Sequence, residues 1–209
     1  MNRVRYASMV RLKRFVNPHR EANTYVVYKN TTAVIIDVGN INTSILLDFL
    51  DQNNLHLDSV FLTHEHADHC CGVDGLANFL DFKLYCSEEC GVNMRMPKLN
   101  FSKYLEDIDD FNLRKEATYI RQNTILYVDS SAIKCHEVKG HSPGSMAYEI
   151  ENILFTGDTF MQTKTPLSFP NSSKSHYNLS IKKIKKIINK STLICPGHGI
   201  IYNFLDSSR

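Results

Sequence analysis

The stretch Val60-Phe61-Leu62-Thr63-His64-Glu65-His66-Ala67-Asp68-His69 decides how this sequence is read. Its apolar opening reads as a buried strand, and it stops abruptly at three His and one Asp within six residues. His64 and His66 are two apart, so in extended backbone both side chains leave the same face. Asp68 keeps that register and His69 is adjacent. A chain that curls into a helix over 67–76 then aims the first two His at one ion and the Asp-His pair at a second. Imidazole is the commonest ligand for borderline metals, and a carboxylate oxygen completes a four- or five-coordinate site. Crowding these groups behind a buried strand costs desolvation and repulsion that a cation offsets.

The same arrangement recurs outward along the chain. Cys135–Val138 runs through Lys139-Gly140 to His141, Ile153–Thr156 through Gly157 to Asp158, and Leu193–Cys195 through Pro196-Gly197 to His198. In layered α/β proteins the loops beyond strand ends gather at one edge, where ligands bind. Further short β-branched or aromatic runs at 25–28, 33–36, 84–86, 125–128 and 132–138 read as strands. Helical spacing appears in Ser44–Leu50 and in Ser180–Asn189, with Ser180 as the expected N-cap. Residues 91–106 carry no clear period. Thr163–Ser175 reads as a long polar loop, of the kind that is often functional. Strands with intervening helices in both halves predict two sheets with helices on their outer faces.

Composition narrows the class. A chain of 209 residues fits one domain, expected to span 1–209. A 43% hydrophobic and 22% charged make-up is that of an ordinary globular protein. The net charge of +2 points to no polyanionic partner. Lys182, Lys183, Lys185, Lys186 and Lys190 read as a solvated helix face, with no aromatic platform beside them for single-stranded nucleic acid. A nucleic-acid partner is therefore not expected. Met1–Phe15 is basic (Arg3, Arg5, Arg11, Lys13, Arg14) but lacks the apolar run of an export signal, and no stretch is long enough to span a bilayer. The expectation is a cytoplasmic protein with no membrane partner. Its six Cys are then expected as free thiols, with Cys70 and Cys71 as packing residues. The sequence carries no signal for an oligomeric state.

Taken in order, these motifs resemble the metallo-β-lactamase superfamily. They are Asn23-Thr24-Tyr25-Val26-Val27, Ile36-Asp37-Val38-Gly39, Thr63–His69, Gly140-His141-Ser142-Pro143-Gly144-Ser145, Phe155-Thr156-Gly157-Asp158-Thr159 and Pro196-Gly197-His198-Gly199. The resemblance implies an αββα four-layer sandwich with a di-metal cleft at one edge of the sheets. It implies that His64, His66 and His141 bind a first ion, that Asp68, His69 and His198 bind a second, and that Asp158 bridges them. Asp37 would support the ligands from behind. Two zinc ions per chain are expected, with iron or manganese as alternatives. A zinc-bound hydroxide would then cleave a thioester, ester or lactone of a small-molecule substrate, with Asp68 orienting it and accepting its proton.

Within the superfamily the chain is most similar to the short glyoxalase II-type, hydroxyacylglutathione hydrolase-like branch. It ends at Arg209, so the C-terminal helical domain that supplies glutathione contacts in larger members is not expected. The Gly-Arg element usual after the bridging Asp is replaced by Thr159-Phe160-Met161-Gln162-Thr163. Two alternatives come with the resemblance. One is a persulfide dioxygenase holding a single iron with two His and one Asp; the other is a phosphodiesterase or nuclease of the same fold. True β-lactamases are exported, and no export signal is read here. His176, Tyr177 and Lys164 are candidate substrate contacts. His136 is expected to face a sheet surface, and His19 and His56 have no neighbours that suggest chemistry.

Overall fold

The computed structural model describes residues 9–18 and 20–204; Arg3, Arg5 and His19 lie outside them. Strict alternation of side chains builds the layers. In β2 (Asn23–Lys29), Tyr25 and Val27 point to one side and Val26 to the other; in β3 (Thr32–Ile36), Val34 and Ile36 oppose Ala33 and Ile35. In β4 (His56–Phe61) and β5 (Lys83–Cys86), Phe61 and Tyr85 join the first set, while Val60, Leu84 and Cys86 join the second. With β1 (Arg11–Val16) and β6 (Ala117–Tyr119) these strands form a six-stranded sheet in the order β1-β2-β3-β4-β5-β6. It is antiparallel from β1 to β3 and parallel from β3 to β6.

The second sheet contains β7 (Ile125–Val128), β8 (Ser131–Glu137), β9 (Met146–Ile150), β10 (Ile153–Gly157), β11 (Leu193–Pro196) and β12 (Tyr202–Asn203), in reverse order from β12 to β7. Its inward residues Ile133, Met146, Tyr148, Phe155 and Cys195 close on the inward face of the first sheet. The outer faces are covered by helices. On the first sheet lie α1 (Thr43–Gln52), α2 (Ala67–Cys70), α3 (Val73–Ala77) and α4 (Glu88–Asn93); on the second, α5 (Lys174–Ile187) docks Ile184 against Leu154 and Ile194. The result is the predicted αββα sandwich.

Local differences from the sequence reading have physical causes. The helix expected from Ser180 begins at Lys174, capped by Ser173, whose Oγ accepts from the His176 N–H. Ser180 lies inside the helix, and its hydroxyl donates to the Lys139 carbonyl at 2.7 Å. The polar first turns of α5 pack on the backbone at Gly140 rather than on apolar core, so they show no helical hydrophobic period. The helix expected over 67–76 is two short pieces, α2 and α3, with Gly72 between them.

The two sheets are tied together just below the metal-ligand loops. Tyr148 in β9 is fully buried, stacks edge-on to Phe61 and donates its hydroxyl to the Leu62 carbonyl at 2.6 Å. Leu62 is the second residue before His64, so this bond fixes the exit of β4. A Tyr148→Phe variant leaves that carbonyl without its partner in a dry environment. It should lose about 1–3 kcal/mol of stability in urea titration. An unchanged midpoint would show that the carbonyl is satisfied in another way.

Candidate metal centre

Seven side chains converge at the edge where β3, β4, β8, β10 and β11 end. The β4 loop brings His64, His66, Asp68 and His69; the loops after β8, β10 and β11 bring His141, Asp158 and His198. Close approach of the last two loops requires Gly197, because a Cβ there would stand 2.0 Å from Asp158 Oδ1. The ligand atoms fall into three compact groups: His64-His66-His141, Asp68-His69-His198 and His64-His69-Asp158. The first two are the sets implied by the sequence resemblance. The third joins Asp158 to one His of each. Asp158 Oδ1 lies 3.5 Å from His69 Nε2, while Oδ2 lies 3.6 Å from His141 Nε2 and 3.5 Å from His198 Nε2.

Hydrogen bonds behind the cluster set the imidazole tautomers. The Thr63 hydroxyl donates to Asp37 Oδ2 at 2.7 Å, which uses its only proton. Its contact with His64 Nδ1 at 3.0 Å is therefore a bond donated by the ring, leaving a lone pair on His64 Nε2. That nitrogen is buried with no hydrogen-bond partner among the described residues, as is Asp158 Oδ1. His141 Nδ1 donates to the Pro166 carbonyl at 2.9 Å, which directs its Nε2 toward His66 Nδ1, 3.0 Å away. His69 Nδ1 donates to Asp37 Oδ2 at 3.0 Å, and its Nε2 faces His198 Nε2 at 3.2 Å. Asp37 is buried and also accepts from the Thr63 backbone N–H at 2.7 Å.

Metal ions fit this arrangement. Ligand atoms about 2.0–2.1 Å from a tetrahedral ion stand roughly 3.3 Å from one another, close to the separations found here. The unpartnered atoms His64 Nε2 and Asp158 Oδ1 face the same interior, where a cation satisfies both. Burial, reinforced by the neighbouring imidazoles, pushes the pKa values of His64 and His66 well down, which keeps them in the neutral form that binds metal. Burial also opposes charge on His69, but the Asp68 and Asp158 carboxylates outweigh it and bring its pKa up to about 10. His198 is raised in the same way: burial is outweighed by its bond to Asp68 and by Asp158. Burial likewise disfavours the ionised form of Asp68, but His69 and His198 hold its carboxyl well below the usual range. The carboxylate half of the site therefore demands positive charge.

A cavity of about 340 Å³ opens above the ligands. Lys164 lines it, together with Arg20, Phe101, Met161 and Phe169. His176 and Tyr177 do not line it, because the early start of α5 carries them away. His176 is exposed, and the Tyr177 hydroxyl points to Thr165 Oγ1 at 3.5 Å. His136 pairs with Glu149 on the sheet surface, and His56 is exposed at the start of β4. Cys70 is buried with its thiol donated to the Glu65 carbonyl, and burial pushes Cys71 up to about 12, so neither is poised as a nucleophile. Sequence reading does not single out Phe101, Phe169 or Arg20. It also passes over Glu65, which is buried between two ligands and accepts from Asn93 Nδ2 and from the Ser142 hydroxyl.

The profile of the Metallo-beta-lactamase superfamily matches residues 18–198. The chain belongs to this superfamily, a class of metal-dependent hydrolases. Hydroxyacylglutathione hydrolases are among its relatives at 26% to 30% identity, which supports the glyoxalase II-like branch. One, from Pectobacterium atrosepticum, is 30% identical over 176 residues, covering 81% of this chain and 58% of that protein. The chain spans about half the length of these relatives, between 42% and 60%. Among solved structures, the BLEG-1 B3 metallo-beta-lactamase superposes with a TM-score of 0.84 at 26% identity, covering 92% of this chain and 94% of that one. TTHA1623 in a di-iron-bound form superposes with a TM-score of 0.80 at 20% identity, covering 91% and 94%.

Replacing Asp37 by Asn tests the support behind the ligands. Asp37 has φ of +59°, a conformation Asn also accepts, so backbone strain does not confuse the result. The variant should bind metal about 10–100-fold more weakly in chelator competition. Unaltered affinity would mean that His69 is oriented without Asp37.

Proposed function

We propose that the protein is a two-metal hydrolase that cleaves a thioester, ester or lactone. The observation that carries this reading is Asp158, whose two carboxylate oxygens face the His69 side and the His141 side of one cluster. His64, His66 and His141 would hold one ion; Asp68, His69 and His198 the other; Asp158 would touch both. When bound, such a pair supplies a water of lowered pKa and an electrophilic contact for a substrate oxygen. We take the ions to be zinc, the usual partner of an imidazole and carboxylate set.

The chain's own groups do the rest. Asp68 is only partly buried and lies at the cavity wall, where its carboxylate would orient a nucleophile and take up the proton that nucleophile releases as it attacks. Phe101, Met161 and Phe169 shield the reacting carbon from bulk water, and Lys164 at the rim favours an anionic or polarised substrate group. The hydroxyacylglutathione hydrolase relatives support a thioester. The likeness to BLEG-1 over nearly the whole of both chains favours a second reading, cleavage of a β-lactam amide. We place the protein in the cytoplasm, on the support of its six free thiols.

Elemental analysis of purified protein should find about two zinc ions per chain. A panel of thioesters, esters, lactones, β-lactams and phosphodiesters should show turnover of the carbonyl esters or thioesters. Asp158→Ala should lower metal content and turnover together, with turnover down by at least the ~10²–10³-fold seen when a key electrostatic group is removed. A single iron per chain with oxygen uptake, or full turnover after both ions are stripped, would refute the reading.

A further inference from the structure

The cavity over the metal-ligand cluster continues past it. A second hollow of about 460 Å³ adjoins it, lined by Lys98, Leu99, Tyr104, Pro170 and Asn171. Phe101 and Phe169 line both spaces. Their rings lie 4.9 Å apart and tilted by 39°. Each ring also rests edge-on against His66, at 4.8 and 5.1 Å. The aromatic pair is thus a saddle between the reacting centre and the outer hollow, standing directly on a ligand.

The saddle is built in at a cost. Phe101 has φ of +66°, a left-handed conformation that a bulky side chain rarely adopts. Asn100 before it is fully buried and holds the turn in place. Its amide donates to the carbonyls of Met94 and Phe111, its side-chain oxygen accepts from the Ser102 N–H, and its own carbonyl accepts from Ala67 N–H at the start of α2. Four hydrogen bonds therefore keep Phe101 in a strained pose beside the metal ligands. Such strain persists where the surrounding structure over-determines it, and it clusters at ligand clamps. Tyr104, in the next turn, stays 63% exposed at the wall of the outer hollow. Among the described residues Lys98 is the one charged side chain lining that hollow, so its walls suit a chain without charge.

We propose that Phe101 and Phe169 are the specificity element of the site, and that the substrate carries an extended, uncharged apolar arm lying across their rings into the hollow beyond. The proposal rests on the hydrolase reading and names the substrate class for it: an apolar thioester or ester. The arm belongs to the acyl group or to the leaving group, and the assays below separate the two.

Binding is measured first, because it needs no turnover. Calorimetry of the metal-loaded protein with straight-chain alkanoates from acetate to decanoate should show affinity rising roughly two- to fourfold per added methylene. A flat series overturns the proposal, whatever reaction the protein catalyses. Turnover is then compared for thioesters of one thiol with lengthening acyl chains and for acetyl thioesters of lengthening alkyl thiols. A rise of kcat/KM in the first series assigns the arm to the acyl group, a rise in the second assigns it to the leaving group, and turnover that is flat in both overturns the proposal while leaving the hydrolase reading intact. Absence of thioester turnover with a rising binding series keeps the apolar site and removes the thioester as its substrate. Phe101→Asn tests the residue itself, since Asn accepts the positive φ and leaves the turn unstrained. This variant and Leu99→Ser should both flatten the chain-length dependence of binding while each melts near the parent temperature. Retention of the full dependence in both would show that the wall lies elsewhere.

Discussion

The carboxylate of Asp37 is the contact on which the rest of the site depends. It sits at the end of β3, fully inside the protein, and accepts three hydrogen bonds: two from Thr63 at the end of β4 and one from His69 in α2. Those bonds fix the relative height of two parallel strands at the edge where ligands gather. They also propagate. With its proton committed to Asp37, the Thr63 hydroxyl can only accept from His64, so one buried acid sets the tautomers of two imidazoles at once. The left-handed backbone at Asp37 lets the chain turn sharply enough for this, and Gly39 follows where a Cβ would meet the Asp68 carbonyl at 2.0 Å.

Behind this ordering lies an electrostatic division of labour. His64 and His66 are stripped of solvent and surrounded by other imidazoles, so they stay neutral. His69 and His198 lie against Asp68 and Asp158 and are driven toward the charged form. One half of the cluster offers lone pairs, and the other half offers negative charge that needs a counterion. A divalent cation meets both requirements at once, since it accepts the lone pairs and balances the negative charge. The apolar sandwich matters here because Tyr25, Phe61, Tyr148 and Phe155 fill the space beneath the ligands and keep water from screening these charges from below.

Much of this could be read from the sequence because the ligands stand directly beyond buried strands, where two kinds of pattern coincide. The period-two apolar runs give the strands, and the His and Asp residues that interrupt them mark the edge. The αββα layering follows from the same runs. Other parts were hidden for identifiable reasons. β9 occupies only five residues, and its inward Met146, Tyr148 and Ile150 directly follow a loop that reads as turn. The first turns of α5 pack on backbone at Gly140, so they carry no apolar stripe, and the apolar period points to a start at Ser180 for a helix that is capped at Ser173. That shift of about two turns is what removes His176 and Tyr177 from the cleft. Glu65 is buried and bonded to Asn93 and Ser142, partners 28 and 77 residues away. No local pattern encodes such long-range satisfaction.

The division between legible and hidden residues follows the division between chemistry and selectivity. Every candidate ligand sits on a short helix or within four residues of a strand or helix end, on backbone whose position is dictated by the sheets. Phe101, Met161 and Phe169 sit on irregular segments that bond mainly to themselves and to side chains such as Asn100 and Thr165. Changing a ligand disturbs the buried charge balance, so those positions have little freedom. Changing a residue such as Phe101 alters the wall of an open cavity and, at φ of +66°, even relieves strain when the replacement is Asn. A scaffold arranged this way can keep one metal chemistry while its substrate changes, because the groups that select the substrate touch the ligands but stand on segments outside the sheets.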